Sequence, residues 1–556
     1  MFGEIEAYLD GSDPFFELSK GRHPARLPAA DGAALAAQYE AHREFRARLG
    51  EFSQTELSRQ DEISLAIMRL KLDDRIDRFE FGADLAPVDA EGGFYNRLLF
   101  LLPRLRFETA ADYEAYLTWL PLYLEYLEQQ QLLMEEGISR GIVVPGVIVR
   151  NTLQLLAPFL ADLKPHPLMA PFRSMNDDIG LEERERLVRK ANALYERRIL
   201  SVYRSLDTFF RGRYLEATHE DVGISMVPGG KAYYENRIRF YTTLPMTPEQ
   251  VFSLGQSEVR RIGALMRATI AETGFKDGFA AFVDHLRTDP SFYPTSGEQL
   301  LHHAAWIAKQ AEGRLPRLFN TLYSTPFTVE PVPDAIAPNY TAGRYVHANE
   351  ETREAGIYWV NVYNLPSRSL YNLPALTLHE AVPGHHLQCS IARELQGIPE
   401  FRNDYYISAF GEGWGLYAEY LGEEMGMYTT PYERFGRYTY EMWRACRLVV
   451  DVGIHYKGWS RKQAIDFMRD RTALSEHEVG TEIDRYIGWP GQAVSYKVGE
   501  LTIKRLRREA EERLGDKFDL RAFHEVVLRN GSIPLDMLEQ EVRGAIDRLT
   551  KPGTRG

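Results

Sequence analysis

Apolar side chains recur every three or four residues over most of the chain, which is the spacing of one face of an α-helix. A clear example runs from 188 to 209, where charged residues separate the apolar positions Val188, Ala191, Tyr195, Ile199, Val202, Leu206 and Phe209. This pattern predicts an amphipathic helix there and a mainly α-helical protein.

Helix start signals support the periodicity. Thr247 and Gln250 form a capping box around Pro248, which suits the first helical position, and Gly274 is a predicted stop. The same signals recur at Thr295 to Glu298, where we predict another helix start.

Strand signals are fewer. Residues 356–362, GIYWVNV, are rich in β-branched and aromatic side chains and predict a strand. Residues 326–345 contain four prolines and predict an irregular crossing between a helical first part, 1–325, and a second part, 326–556.

Composition narrows the function classes. The 556 residues carry 66 basic and 79 acidic side chains, a net charge of -13, which argues against a nucleic-acid partner. Two cysteines cannot form a disulfide framework and are predicted to be buried thiols.

Apolar stretches are too short for a membrane span. No signal peptide precedes the first helix in this numbering, so we expect a cytoplasmic protein, or a periplasmic or secreted one if a signal was removed. The sequence predicts no particular oligomeric state.

The most informative segment is 376–388, LTLHEAVPGHHLQ. It resembles the H-E-x-x-H helix of zinc hydrolases, but two extra residues separate His379 and Glu380 from His385. Pro383 removes a helical hydrogen bond and Gly384 permits unusual dihedrals, so a local bulge is predicted to bring His385 to the metal. His386 is the alternative ligand, although an intact helix would hold it about 10.5 Å from His379 along the axis.

Residues 411–420, GEGWGLYAEY, place Glu412 and Glu419 on one helix face. The segment resembles the helix that supplies the third zinc ligand in H-E-x-x-H aminopeptidases. That resemblance assigns Glu412 as a ligand and Glu419 as a group behind the ligands.

Two further segments carry polar groups. Arg447, Asp451 and His455 are spaced by four, so we expect them to share a helix face that orients ligands or holds substrate. Residues 485–497, RYIGWPGQAVSYK, form a predicted substrate-binding turn that includes Arg485, Tyr486, Tyr496 and Lys497.

Four segments in this order, HEAVPGHHLQ, EGWGLYAEY, RLVVDVGIHYKGWS and RYIGWPGQAVSYKVG, resemble the bacterial domain-of-unknown-function 885 family. That family is similar to metallopeptidases with a glutamate third ligand, of the Taq carboxypeptidase and angiotensin-converting-enzyme types. The resemblance implies a large helical fold with a deep central groove, a small β element beside the active-site helix, a groove wall in 1–325 and a zinc site in 326–556. It also implies a substrate-facing tyrosine, with Tyr496 preferred to Tyr486.

The leading hypothesis is therefore a zinc peptidase for small peptides, an exopeptidase or oligopeptidase, with His379, His385 and Glu412 as ligands. Glu380 is the predicted general base that takes a proton from the attacking water. The strand near 357–362 is predicted to pair with an extended substrate. Two alternatives stay open: a non-catalytic binder on a degenerate peptidase fold, and a zinc amidohydrolase of non-peptide amides. Simpler roles also stay open, including a structural ion-pair row for Arg447, Asp451 and His455 and core packing for the two tyrosines.

Overall fold

The computed structural model describes residues 1–52, 57–160, 166–334, 336–349 and 353–550. They form two compact units. One comprises Met1–Glu56, Met68–Tyr233 and Ile487–Trp489, and the other comprises Leu57–Ile67, Tyr234–Tyr486 and Pro490–Gly556. The predicted division into a groove wall and a catalytic part concerns function, and it stays a prediction.

Helices account for most of the described chain, as predicted. The first group is α1 (Phe2–Ser12), α2 (Phe16–Ser19), α3 (Gly32–Glu51), α4 (Arg59–Glu80), α5 (Arg97–Leu101), α6 (Ala110–Arg140), α7 (Gly146–Leu160), α8 (Leu181–Leu194), α9 (Leu200–Phe209), α10 (Gly230–Thr242), α11 (Pro248–Glu272), α12 (Gly278–Thr288) and α13 (Gly297–Glu312). The second group is α14 (Leu373–Glu380), α15 (His385–Glu394), α16 (Phe401–Asp404), α17 (Ser408–Glu424), α18 (Pro431–His455), α19 (Arg461–Arg469), α20 (Glu476–Gly488), α21 (Ser495–Leu514), α22 (Leu520–Leu528) and α23 (Leu535–Thr550). None of these described helices is both long enough and apolar enough to cross a membrane.

The predicted helix signals are largely confirmed. The stretch 188–209 is helical, but a π-helical turn at Tyr195–Ile199 separates α8 from α9. The capping box of Thr247 and Gln250 is present, and α11 ends at Glu272, just before Gly274. The predicted start at Thr295 is wrong by one residue, because the Ser296 hydroxyl accepts the amide hydrogen of Gln299 at 3.1 Å.

The β element is a three-stranded sheet in the order β1-β3-β2, formed by β1 (Phe327–Pro331), β2 (Gly343–Val346) and β3 (Gly356–Val360). The predicted strand is confirmed as β3, although it ends at Val360. Two corrections follow. The segment 326–345 contains β1 and the start of β2, whose short strands its prolines concealed. Because β3 pairs with β1 on one side and β2 on the other, it has no free edge for a substrate.

Helix pairs in the second unit position the candidate site. Helix α17 packs along α21, and α11 packs along α18. The first pair comes close at Gly413 and Gly499, where a β-carbon on Gly413 would lie 2.5 Å from the Cα of Gly499. This close approach brings Glu412 and the N-terminal end of α21 to the same region. Cys389 and Cys446 are buried free thiols, as predicted.

Candidate metal centre

The motif helix is interrupted between its histidines. Helix α14 ends at Glu380 and α15 begins at His385, with Pro383 and Gly384 in the intervening turn. A β-carbon at Gly384 would lie 1.9 Å from the carbonyl oxygen of His379, so only glycine fits there. The indole N–H of Trp414 donates to the Pro383 carbonyl at 2.8 Å and ties this turn to α17.

The turn brings His379 and His385 together with Glu412. Their ligand atoms all lie within 4.8 Å of one another, and the Glu412 Oε2 atom is 3.5 Å from the Nε2 atom of each histidine. Ligands about 2.1 Å from a tetrahedral zinc ion are about 3.4 Å apart, so the two distances from Glu412 to the histidines fit zinc. Two imidazole nitrogens and one carboxylate oxygen are also the donor set of many catalytic zinc sites.

The three groups polarise one another. Burial raises the pKa of Glu412, but its contacts with His379 and His385 outweigh burial and hold that pKa well below its usual range. Burial lowers the pKa of His379, yet its contacts with Glu412 and Glu419 raise it to about 9. Glu412 is therefore an anionic donor at neutral pH, which suits a divalent cation.

Glu419 lies behind the first histidine, where the sequence predicted a supporting group. The Nδ1–H group of His379 donates to Glu419 Oε1 at 2.8 Å, which leaves Nε2 directed at Glu412. Arg444 is 3.4 Å from the same carboxylate. By contrast, the Nδ1 atom of His385 is buried and has no hydrogen-bond partner among the described residues.

His386 is turned away from this cluster. Its Nδ1 atom is 3.1 Å from the Tyr345 hydroxyl, and its Nε2–H group donates to the Thr325 carbonyl at 3.1 Å. Burial lowers the pKa of His386 to about 4, so it is a neutral ring within the protein interior. The sequence alternative that used His386 as a ligand is therefore not supported by the geometry.

Glu380 is nine-tenths buried and follows His379 directly. The backbone N–H of Tyr345 in β2 donates to Glu380 Oε2 at 2.8 Å. This bond fixes the carboxylate between the motif helix and the outer edge of β2.

Tyr406 is a member of the site that sequence reasoning missed. Its hydroxyl donates to Glu412 Oε1 at 2.9 Å, opposite the oxygen that faces the histidines, and its ring is 6.3 Å from that of His385. The only sequence signal was an aromatic residue just before the GEGWGLYAEY helix, in a chain where aromatic residues are common.

A buried network joins three residues of α18, Arg447, Asp451 and His455, to Glu482, Tyr486 and Gly491. Arg447 donates to the Tyr486 hydroxyl at 2.7 Å and pairs with Glu482 at 3.0 Å. Asp451 accepts hydrogen bonds from Tyr234 at 2.5 Å and from the amide of Gly491 at 3.1 Å.

The same network continues through the remaining predicted residues of this segment. His455 donates to the Tyr486 carbonyl at 2.9 Å, and burial lowers the pKa of His455 to about 4. Arg485 donates to Gln492 at 2.9 Å and to Glu482 at 3.1 Å. These contacts hold the segment in place, although Arg447 Nη1 and Asp451 Oδ2 are buried with no hydrogen-bond partner among the described residues. The substrate-binding role of the segment stays a prediction.

Tyr496 and Lys497 lie in the first turn of α21 but differ in their surroundings. Tyr496 is half-buried, with the Arg447 guanidinium 4.3 Å from its ring centre, and the nearby charge of Glu412 adds to the burial that raises its pKa. Lys497 is fully buried among Glu441, Glu500 and Glu258, at 2.8, 2.5 and 3.2 Å. Its ammonium group is thus held by carboxylates of the core instead of facing a substrate.

Comparison with known proteins agrees with this fold. The chain is 26% identical to the "putative lipoprotein from Colwellia psychrerythraea", with 98% of both chains aligned and a TM-score of 0.89. A "putative lipoprotein of unknown function from Shewanella oneidensis" aligns over 97% of this chain and 98% of its own, with 17% identity and a TM-score of 0.72, and shows the fold alone. A structure named BsuCP aligns over 93% and 97% with a TM-score of 0.34 and 12% identity, a likeness that carries no argument. No curated protein is significantly similar to the chain. The model of a family described as "Bacterial protein of unknown function (DUF885)" matches residues 14–542, and the chain therefore belongs to that family.

Proposed function

We propose that this protein is a zinc-dependent hydrolase that cleaves peptide bonds of small peptides. The observation that carries the proposal is the close grouping of His379, His385 and Glu412 at zinc-ligand spacing, with a carboxylate beside the first histidine. Zinc bound there supplies Lewis-acid activation of water and of a carbonyl group. Kinship with metallopeptidases that use a glutamate third ligand is part of the same proposal.

Glu380 is the general base in this scheme. One of its oxygens accepts the Tyr345 amide, which holds the carboxylate in place while the other oxygen takes a proton from the attacking water. The same carboxyl group then passes the proton to the leaving amine nitrogen. A protein that only bound a ligand at this site would need no general base such as Glu380 beside His379.

The outer edge of β2 is where an extended peptide would lie. The Tyr345 amide points away from β3 and toward Glu380, so this edge runs beside the candidate base. Main-chain hydrogen bonds along such an edge bind a peptide without selecting its side chains.

A tyrosine hydroxyl is proposed to stabilise the oxyanion that forms during attack. Tyr486 is poorly suited, because its oxygen accepts hydrogen bonds from Arg447 at 2.7 Å and from Trp443 at 2.9 Å, and its O–H already pairs with Glu482. Tyr496 is half-buried near Glu412 and remains the preferred donor.

The test combines metal analysis with Glu380→Gln. Purified protein is expected to bind one zinc ion per chain, and Glu380→Gln should keep that zinc while losing about 100- to 10,000-fold in turnover of a peptide library. Glu400→Gln removes an exposed glutamate and serves as the matched control.

The other outcomes separate the alternatives. Protein that does not bind zinc would refute the proposal, as would unchanged turnover in Glu380→Gln. Zinc with no hydrolysis would favour the non-catalytic binder. Hydrolysis of non-peptide amides alone would favour the amidohydrolase.

A further inference from the structure

A small cavity with a mixed polar and apolar lining lies against the start of α14, outside the cluster of candidate metal ligands. It encloses about 20 Å³, enough for one water-sized group. Its lining includes Arg368, Asn372, Leu376, Tyr440 and Glu478. The cavity therefore combines a cation, an anion and neutral polar groups in a space too small for bulk solvent.

The polar groups of this cavity have unused hydrogen-bonding capacity. Only 11% of the Arg368 side chain is exposed, and its closest charged contact joins Nη1 to Glu478 Oε1 at 4.0 Å, too long for a hydrogen bond. Arg368 Nε and Asn372 Oδ1 are buried with no hydrogen-bond partner among the described residues. Burial lowers the pKa of Arg368 and raises the pKa of Glu478. Buried polar groups normally have partners, so this arrangement favours a ligand that bridges them.

The cavity lies one helical turn from the candidate base. Leu376 lines it, and Glu380 follows on the same helix about 6 Å along the axis. Strand β2 runs alongside in the same direction: a β-carbon on Gly343 would lie 3.3 Å from Leu376, and the Tyr345 amide binds Glu380. A peptide extended along β2 advances about 3.3 Å per residue, so a side chain about two residues from the scissile bond would lie level with the cavity.

We infer that this cavity is a specificity subsite for a substrate side chain that ends in a hydroxyl group, serine or threonine, an inference that rests on the proposed hydrolase function. A hydroxyl accepts a hydrogen bond from Arg368 and donates one to Glu478 or Asn372. A carboxylate would face Glu478, an ammonium group would face Arg368, and an apolar side chain would leave the guanidinium without a partner. The terminal hydroxyl would occupy the water-sized space, which is too small for a terminal amide.

The test compares threonine with valine, which has the same shape without the hydroxyl. Blocked hexapeptides carry either residue at each position in turn. Binding is measured by calorimetry on zinc-loaded Glu380→Gln, and cleavage is measured on the wild-type protein. We expect one position to favour threonine about 10- to 100-fold in Kd and in kcat/KM, the value of a hydrogen bond to a charged group. In the background of Glu380→Gln, Arg368→Met should remove this preference in Kd while valine peptides bind as before.

The outcomes separate this inference from the proposed function. Cleavage without a threonine preference at any position would overturn the subsite and leave the hydrolase. A threonine preference in binding that Arg368→Met removes, without cleavage by the wild type, would support the subsite and overturn the hydrolase. Equal preference in Arg368→Met and its parent would also overturn the subsite, since the cavity would then hold only water. If Arg368→Met does not fold, the ratio of Kd values for threonine and valine peptides on Glu380→Gln, which keeps Arg368, tests the subsite by itself.

Discussion

Replacing Glu419 by glutamine tests whether the carboxylate behind His379 strengthens the proposed zinc site. Glu419 and His379 are both buried, with 1% and 2% exposure, and the hydrogen bond between His379 Nδ1 and Glu419 Oε1 is 2.8 Å long. Glutamine keeps the shape and an acceptor oxygen but loses the charge. A hydrogen bond to a charged group is worth about 1.5–3 kcal/mol, against about 1 kcal/mol for a neutral one. Glu419→Gln is therefore expected to lose about 1.4 kcal/mol of zinc-binding free energy, or about tenfold in zinc Kd. This is at the lower end of the effect of groups that hydrogen-bond to metal ligands.

Competition with a chromophoric chelator measures this loss. Glu423→Gln is the matched control, because it removes the same charge from the same helix. Glu423 lies one turn later on α17 and pairs with Arg437 at 3.6 Å. Arg444 also loses a charged partner in Glu419→Gln, so denaturant unfolding of the metal-free variants should accompany the titration. An unchanged zinc Kd in Glu419→Gln, or an equal change in both variants, would refute the reasoning.

Three further predictions address the motif turn, the tyrosines and the α18 network. Gly384→Ala should abolish zinc binding, measured by metal analysis, because its β-carbon would meet the His379 carbonyl at 1.9 Å; stoichiometric zinc in a folded variant would contradict this. Tyr496→Phe should lower kcat about a hundredfold with KM unchanged, whereas Tyr486→Phe should lower the free energy of unfolding by about 1–3 kcal/mol through its unpaired donors. Wild-type kcat in Tyr496→Phe would exclude it as the oxyanion donor. Burial raises the pKa of Asp451 from 3.8 to about 7, so between about pH 4 and 7 the folded protein keeps a proton that the unfolded chain releases. Wild-type stability should then fall with rising pH relative to Asp451→Asn, by at most about 1.4 kcal/mol per pH unit, and parallel denaturation profiles would contradict this.

The sequence alone determined the helices and much of the cluster of candidate metal ligands. Helical periodicity and capping are local, so α11 and its capping box followed from the residues near Thr247. The break at Pro383 and Gly384 was also local, because a missing N–H and a missing β-carbon act on their own turn. The resemblance of residues 411–420 to a known motif then supplied Glu412 and Glu419.

Only the tertiary structure decided which polar groups face one another. Lys497 was predicted to bind substrate as the last residue of segment 485–497, yet core carboxylates from distant helices surround it. Tyr406 carried no motif, and its place at Glu412 follows from the path of the chain before α17. Sheet order likewise depends on pairing between separated segments, which put β3 in the centre and left β2 beside Glu380. Periodicity fixes the face of a helix on which a side chain lies, but the partner on that face is set by packing between residues far apart in the chain.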